Sequence, residues 1–216
     1  MSYKWNTRTE LLLGAERMEY LSHCHVLVVG LGGVGAYAAE QICRAGIGHM
    51  TIVDADTVND SNINRQLPAL HSTLGMQKAE VVGQRLLDIN PRLKLTILNE
   101  FLRDERTEEV LSAQKYDFIV DAIDSLSPKA YLLYHAYRRE IPIVSSMGAG
   151  AKIDPSQVKI ADISKTCNCA LAKAVRKRLR GMGLNKGIPV VFSTEIANPE
   201  AVVEVENEQC KRTTTG

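Results

Sequence analysis

The chain has no apolar run long enough to cross a bilayer, and its start, Met-Ser-Tyr-Lys-Trp-Asn, lacks the apolar stretch of a secretion signal. It also lacks a charge excess. Lys and Arg total 26 against 25 Asp and Glu, a net charge of +1, which excludes a globally basic nucleic-acid binder but not a local patch. The five cysteines, Cys24, Cys43, Cys167, Cys169 and Cys210, are odd in number and irregularly spaced, which suits reduced thiols better than a disulfide framework. Cys167-Asn-Cys169 has a single intervening residue, the wrong spacing for a zinc knuckle, and the histidines have no metal-ligand spacing. No internal repeat or low-complexity linker is present. The expectation is a soluble cytoplasmic globular protein with no membrane partner and no structural zinc. At 216 residues it can bury about 70% of its unfolded surface without a staple.

What is present begins with Val26-Leu-Val-Val-Gly30-Leu-Gly32-Gly33-Val34-Gly35, β-formers running into Gly-x-Gly-x-x-Gly with a helical pattern behind them. Such a strand–turn–helix sets bare backbone N–H groups and a helix N-terminus against phosphates. Gly30 permits the turn, Gly32 lets the backbone approach a phosphate, and Gly35 lets helix pack on strand. His49-Met-Thr-Ile-Val-Asp54 reads as a second strand ending in an acid nineteen residues after Gly35, where a ribose-binding carboxylate belongs.

Further along, the alternation continues. Two short helical pieces broken at Gly14 precede the first strand. Helices are expected from Val34 to Ala45, from Lys78 to Ile89, over 107–114, and from Ser127-Pro-Lys, with Ser127 as the N-cap and proline in the first helical position. Strands are expected over 93–99, 117–122 and 142–146. This pattern predicts an α/β fold: a Rossmann-like, doubly wound, mostly parallel sheet with helices on both faces. After Met147 the character changes. A strand over 157–162 that need not fit the parallel order, a basic helix over 171–180 and a strand over 190–195 predict antiparallel strands in the C-terminal part. We expect one domain over 1–216: an N-terminal helical segment (1–25), a nucleotide-binding core (26–150) and a substrate-facing part (151–216).

Arg65, in Ser61-Asn62-Ile-Asn-Arg65-Gln66, then Lys78, then Asp124 in Asp121-Ala-Ile-Asp124 all fall near the carboxyl ends of strands around the glycine turn. Two cations and a carboxylate are what a triphosphate with Mg²⁺ requires, the cations for the phosphates and the acid for the metal. A nicotinamide dehydrogenase needs none of this, although an NAD-binding oxidoreductase or regulatory domain stays open as a reading.

These motifs, with Asp54-x-Asp56 and Asn62-x-x-Arg65-Gln66, resemble the ubiquitin-activating-like, ThiF-type adenylating superfamily over about residues 20–150. The resemblance implies ATP and Mg²⁺, with Asp54 on the ribose, Asn62, Arg65 and Lys78 on the phosphates, Gly32 and Gly33 lining the turn, and Asp124 on the metal. Asp56 and Gln66 belong to the same nucleotide set. Arg65, Lys78 and Asp124 would carry the catalysis. Arg8 resembles an N-terminal arginine that some members lend across a homodimer. Sulfur-carrier activators in this superfamily commonly hold zinc with two Cys-x-x-Cys pairs, which this chain lacks.

Gly148-Ala-Gly150-x-Lys152-Ile-Asp154-Pro155, 161–166 and Val191-Phe-Ser-Thr-Glu195 are similar to one branch, the tRNA threonylcarbamoyladenosine dehydratases. That branch uses ATP to cyclise a modified adenosine beside the anticodon, and its members continue past Thr-Thr-Thr-Gly, so further chain is expected. The implied reaction adenylates the threonyl carboxylate and closes a ring with the substrate's own urea, so no enzyme thiol is required. The alternative implied by the superfamily is adenylation of a ubiquitin-like or sulfur-carrier protein, and a cysteine desulfurase or sulfur acceptor is an implied partner. Lys173, Arg176, Lys177 and Arg180 lie at helical spacing and form a candidate contact to a tRNA backbone, with Leu171, Val175 and Leu179 facing inward.

Overall fold

The computed structural model describes residues 5–201 and the strand backbones of 203–205 and 213–215. It divides into two compact units, Met1–Ile143 and Val144–Gly216.

The first unit opens with two helices, α1 (Thr7–Leu13) and α2 (Ala15–His23), broken at Gly14 as expected. Four strands follow: β1 (His25–Val29), β2 (His49–Val53), β3 (Lys94–Leu98) and β4 (Phe118–Asp121). β1 pairs in parallel with β2 on one side and β4 on the other, and β2 pairs in parallel with β3. The helices between them are α3 (Gly35–Arg44), α4 (Lys78–Ile89) and α5 (Glu105–Ala113), with α6 (Leu126–Arg138) after β4. Moving from β1 to β2 to β3 runs one way along the sheet, and the return to β4 runs the other. Right-handed crossovers therefore put α3 and α4 on one face and α5 on the opposite one. β1 explains its own position: Val26, Leu27, Val28 and Val29 are all buried, the mark of a central strand covered on both faces. Val26 and Val28 join Ala36, Ala39, Val82 and Leu86 in the core beneath α3 and α4.

The register lines up Val29, Val53 and Asp121 at one edge of the sheet. Gly30, Asp54 and Ala122 therefore leave their strands side by side. Gly30 N donates to Val53 O at 2.8 Å, and Ala122 N donates to Val29 O at 2.8 Å. Glu40, buried on α3, receives Arg85 Nε at 2.5 Å and Arg44 Nε at 2.8 Å; the first ties α3 to α4, and the Arg85 bond foremost, then that of Arg44, lowers the Glu40 carboxyl below its ordinary range.

Two helix starts differ from expectation. α6 begins at Leu126 with Ser125 as N-cap, so Pro128 occupies its third position and not its first. The N–H groups of a first turn have no intrahelical acceptor, so proline is tolerated at any of these places and does not mark the start. α5 begins at Glu105, two residues before the apolar periodicity becomes visible, because its first turn is polar.

The second unit contains β5 (Ile143–Ser146), which straddles its boundary, β6 (Val158–Asp162), α7 (Ala170–Gly181) and β7 (Pro189–Ser193). β5 and β7 are parallel, whereas β6 is antiparallel to β7, the departure expected from the sequence. The strand backbones β8 (Val203–Val205) and β9 (Thr213–Thr215) pair antiparallel. Cys210 lies outside the described residues. No described helix is long and apolar enough to cross a membrane.

Two outcomes test this architecture. A Cβ at Gly35 would sit 1.7 Å from Gly30 O, while one at Gly33 would meet Arg65 O at an ordinary 3.5 Å. Gly35→Ala should therefore cost about 3 kcal/mol or more in urea denaturation, and Gly33→Ala within about 1 kcal/mol. His25, half-buried with its ring tilted against that of Tyr116 at 4.6 Å between centroids, has its imidazole pKa lowered from 6.5, by burial first and by His49 second. Its neutral form is favoured by folding, so its contribution is complete above about pH 6.5 and declines as the pH falls toward the folded value. Melting temperature should drop between pH 7 and pH 5, with a shallower slope in His25→Asn.

Candidate nucleotide-binding site

The site is built at the carboxyl edge of β1, β2 and β4. Gly30 has φ +88, and a Cβ there would lie 2.7 Å from Ala122 O, so both its conformation and its neighbour demand glycine. With Gly35 pressed on Gly30, α3 starts directly above the strand end. Gly32 and Gly33 are left with open space and ordinary van der Waals neighbours: Gln66 Nε2 is 3.7 Å from a Cβ position on Gly32, and Arg65 O is 3.5 Å from one on Gly33. The loop after β2 and the loop after β4 thus flank the glycine turn, as a nucleotide pocket at strand ends requires.

Asp54, half-buried, accepts from Leu31 N at 2.6 Å through Oδ2 and from Asp56 N at 2.8 Å through Oδ1. Burial raises its carboxyl pKa, opposed by those two N–H groups. Each oxygen keeps a second lone pair for a ligand hydroxyl. Asp56 in turn accepts from Lys78 Nζ at 2.9 Å, and its carbonyl accepts from Lys78 N at 2.9 Å. Lys78 is only 5% exposed and opens α4, so its ammonium is held where the chain enters that helix.

In the loop after β2, Asn62 is buried and its Oδ1 accepts from Asn59 N at 3.1 Å, which fixes a 3-10 turn over Asp60–Asn62. Arg65 is exposed. Its Nη1 donates to Ser61 O at 2.9 Å and Asn64 Oδ1 at 2.8 Å, while Nε and Nη2 bond to no described residue. Gln66 Oε1 is buried without a partner, an arrangement that ordinarily costs about 1–3 kcal/mol and marks a place where a donor is due. Asp124 is exposed on the loop after β4, and its carboxylate has no hydrogen bond or ion pair with a described residue.

Gly30, Gly32, Gly33, Gly35, Asp54, Asp56, Arg65, Gln66 and Lys78 are therefore joined by direct contacts or near neighbours around one turn. Asp124 stands two residues from the Ala122 carbonyl that covers Gly30. Arg8 is not brought to this turn. It is exposed on α1, a helix that buries none of its own residues. Sequence reasoning misses Lys129, which is fully buried and bonds to Asp121 Oδ2 at 2.8 Å. The available signal is Asp121 itself, since an acid ending an apolar strand calls for a buried partner.

In the second unit, Ala172, Val175 and Leu179 of α7 are buried and Leu171 is half-buried. Lys173, Lys177 and Arg180 are exposed. Arg176 is only partly so, because its guanidinium donates to Thr166 O at 2.9 Å and to Thr166 Oγ1. Lys152 Nζ donates to Asn168 O and Ser193 O, both at 2.9 Å, and the Glu195 carboxylate accepts from Ile153 N at 3.1 Å and Asp154 N at 2.9 Å. Cys24 and Cys43 are buried, with thiols raised by burial, that of Cys43 to about 11. Cys169 Sγ caps α7 by accepting from Ala172 N at 3.4 Å, and Cys167 is exposed.

The chain is 41% identical over 208 residues to tRNA threonylcarbamoyladenosine dehydratase of Bacillus subtilis, covering 95% of this chain and 82% of that protein. It is 39% identical over 205 residues to the enzyme of the same name from Escherichia coli, covering 90% and 76%. The solved structure of E. coli tRNA N6-threonylcarbamoyladenosine dehydratase in complex with ATP superposes with a TM-score of 0.85 at 38% identity, covering 89% of this chain and 82% of that one. The model of the ThiF family matches residues 3–203, and the chain belongs to that family.

Proposed function

We propose that this chain is an ATP-dependent tRNA threonylcarbamoyladenosine dehydratase, a single adenylating domain acting on tRNA. The observation that carries the reading is the glycine turn flanked on one side by Arg65 and Gln66 and on the other by the Asp124 loop, in a chain similar to that enzyme over 95% of its length. The backbone N–H groups of Gly32 and Gly33 and the N-terminus of α3 receive phosphate oxygens. Asp54 accepts from the ribose, and Gln66 Oε1 accepts a donor that the protein itself does not supply.

Arg65 offers its uncommitted N–H groups, and Lys78 exchanges the Asp56 carboxylate for phosphate, the two cations offsetting charge that builds during transfer. Asn62 adds an amide donor. The exposed, unpartnered carboxylate of Asp124 is a hard oxygen donor suited to Mg²⁺, which when bound neutralises phosphate charge. The substrate's threonyl carboxylate attacks the α-phosphorus, forming the acyl adenylate and releasing pyrophosphate. A urea nitrogen of the same substrate then attacks the acyl carbon, expelling AMP and losing its proton. The net change is loss of water from the modified nucleoside, balanced by cleavage of ATP to AMP and pyrophosphate. Holding both groups in one substrate supplies the proximity. No cysteine is needed. Cys24 and Cys43 are buried with raised pKa, the inert condition for a thiol.

Exposed Leu11 and Leu12 on α1, 82% and 81% accessible, fit a homodimer in which Arg8 reaches the partner's nucleotide. Lys173, Lys177 and Arg180 form the phosphate-facing set on α7, with Arg176 bracing the helix. Adenylation of a ubiquitin-like or sulfur-carrier protein, with a cysteine desulfurase or sulfur acceptor as partner, would use the same first step. The similarity to the tRNA enzyme over 95% of the chain favours tRNA.

Lys78→Ala and Asp124→Ala should each lower turnover by about 10²-fold or more in a nucleoside assay read by mass spectrometry, with the fold intact by circular dichroism. Tight NAD binding without ATP binding in calorimetry would overturn the reading. Charge reversal at Lys173 and Lys177 together should weaken tRNA binding and leave ATP affinity unchanged. Every RNA phosphate that no longer meets a cation should reduce the slope of log affinity against log salt by roughly 0.7 to 0.9. Fluorescence anisotropy showing wild-type tRNA affinity at low salt would make this face of α7 merely solvated.

A further inference from the structure

The buried pair Asp121–Lys129 has no place in the nucleotide set, yet both side chains have no exposed surface. Two charges taken fully from water are costly, and a well-packed apolar pair is often as stable or more so. Stability alone therefore does not account for them. Their hydrogen bonds do. Asp121 Oδ1 accepts from Ile123 N at 3.0 Å, and Oδ2 lies 2.8 Å from Lys129 Nζ. The same ammonium donates to Ile123 O at 2.7 Å. Ile123 is thus gripped at both ends of its backbone.

The Ile123 carbonyl and the Asp124 N–H belong to one planar peptide unit. Holding that carbonyl fixes the plane from which the Asp124 Cα departs. The Ala122 carbonyl, one residue earlier, lies 2.7 Å from the Cβ position of Gly30, so the phosphate turn blocks movement from the other side. An exposed carboxylate with no side-chain partner is aimed only by its backbone, and here that backbone is set from α6 through Lys129.

We propose that Lys129, through Asp121, is a positioning residue that aims the Asp124 carboxylate at the metal accompanying ATP. The inference rests on the reading of Asp124 given above. Lys129 touches neither nucleotide nor metal. It lowers the range of orientations Asp124 samples, so its loss should weaken metal binding while leaving metal-free nucleotide binding in place.

The test uses Mn²⁺ as the probe, titrated into the full chain with a non-hydrolysable ATP analogue and followed by electron paramagnetic resonance. In Asp121→Leu/Lys129→Met, which removes both charges and fills the space, Mn²⁺ affinity should fall about tenfold. Affinity for the analogue without metal should stay within about twofold of wild type. Asp121→Asn/Lys129→Gln carries no buried charge, and its shorter amide reaches one acceptor, so it serves where the apolar pair does not fold. Its Mn²⁺ affinity should fall about three- to tenfold. Wild-type Mn²⁺ affinity in either folded pair overturns the proposal. Asp124→Asn separates the two ideas. If it weakens Mn²⁺ and the pairs do not, positioning fails while the metal reading stands. If Asp124→Asn binds Mn²⁺ as wild type does, the metal reading fails and the proposal with it.

Discussion

The architecture of the first unit depends on one steric constraint. Gly35 is pressed on the Gly30 carbonyl and Gly30 on the Ala122 carbonyl, and neither has room for a Cβ: one on Gly35 would lie 1.7 Å from Gly30 O and one on Gly30 2.7 Å from Ala122 O. That contact seats the first turn of α3 on the end of β1 without an intervening side chain. It also leaves Gly32 and Gly33 as bare backbone and closes the β4 loop against the turn. The parallel register does the rest, because Val29, Val53 and Asp121 end their strands level. The loops that follow have no other place to go than around the glycines.

Charge is layered on this frame in a consistent manner. Asp54 braces the turn through Leu31 N, Asp56 holds Lys78, and Asp121 holds Lys129. The outer pair differs from the inner one in solvent contact. Asp56 is half-exposed, so on the proposed function Lys78 trades a hydrated carboxylate for a phosphate at modest cost. Lys129 has no exposed surface, and among the described residues its ammonium is held by Asp121 and the Ile123 carbonyl, so it is fixed. Both lysines are buried, and what separates the two pairs is the carboxylate, 53% exposed at Asp56 and fully buried at Asp121.

Much of this is legible in the sequence, and the exceptions have physical causes. The glycine turn, the acid ending β2, the alternation of strands and helices, and the antiparallel β6 all follow from local spacing, which one chain segment carries by itself. The starts of α5 and α6 do not, because a polar first turn and a tolerant proline give no periodic signal. Arg176 reads as one more cation on a basic face, and only the tertiary fold brings it to Thr166. Lys129 is hidden for the same reason. At the fourth position of α6 it looks like a helix-surface lysine, and its partner lies at the end of the preceding strand.

The division of labour along the chain can be argued from the same residues. Every group proposed to handle the nucleotide except Arg8 lies between Gly30 and Asp124, in the first unit, and the resemblance to the wider adenylating superfamily runs to about residue 150. The segments similar to the tRNA-modifying branch, 148–155, 161–166 and 191–195, lie in the second unit. There two of the charged groups are engaged in cross-bracing: Lys152 holds two carbonyls and Glu195 holds two N–H groups. Charged side chains used this way give a loop one shape and bring no reactive group of their own. On the proposed reaction that is sufficient, since the substrate supplies both the carboxylate to be activated and the nitrogen that closes the ring.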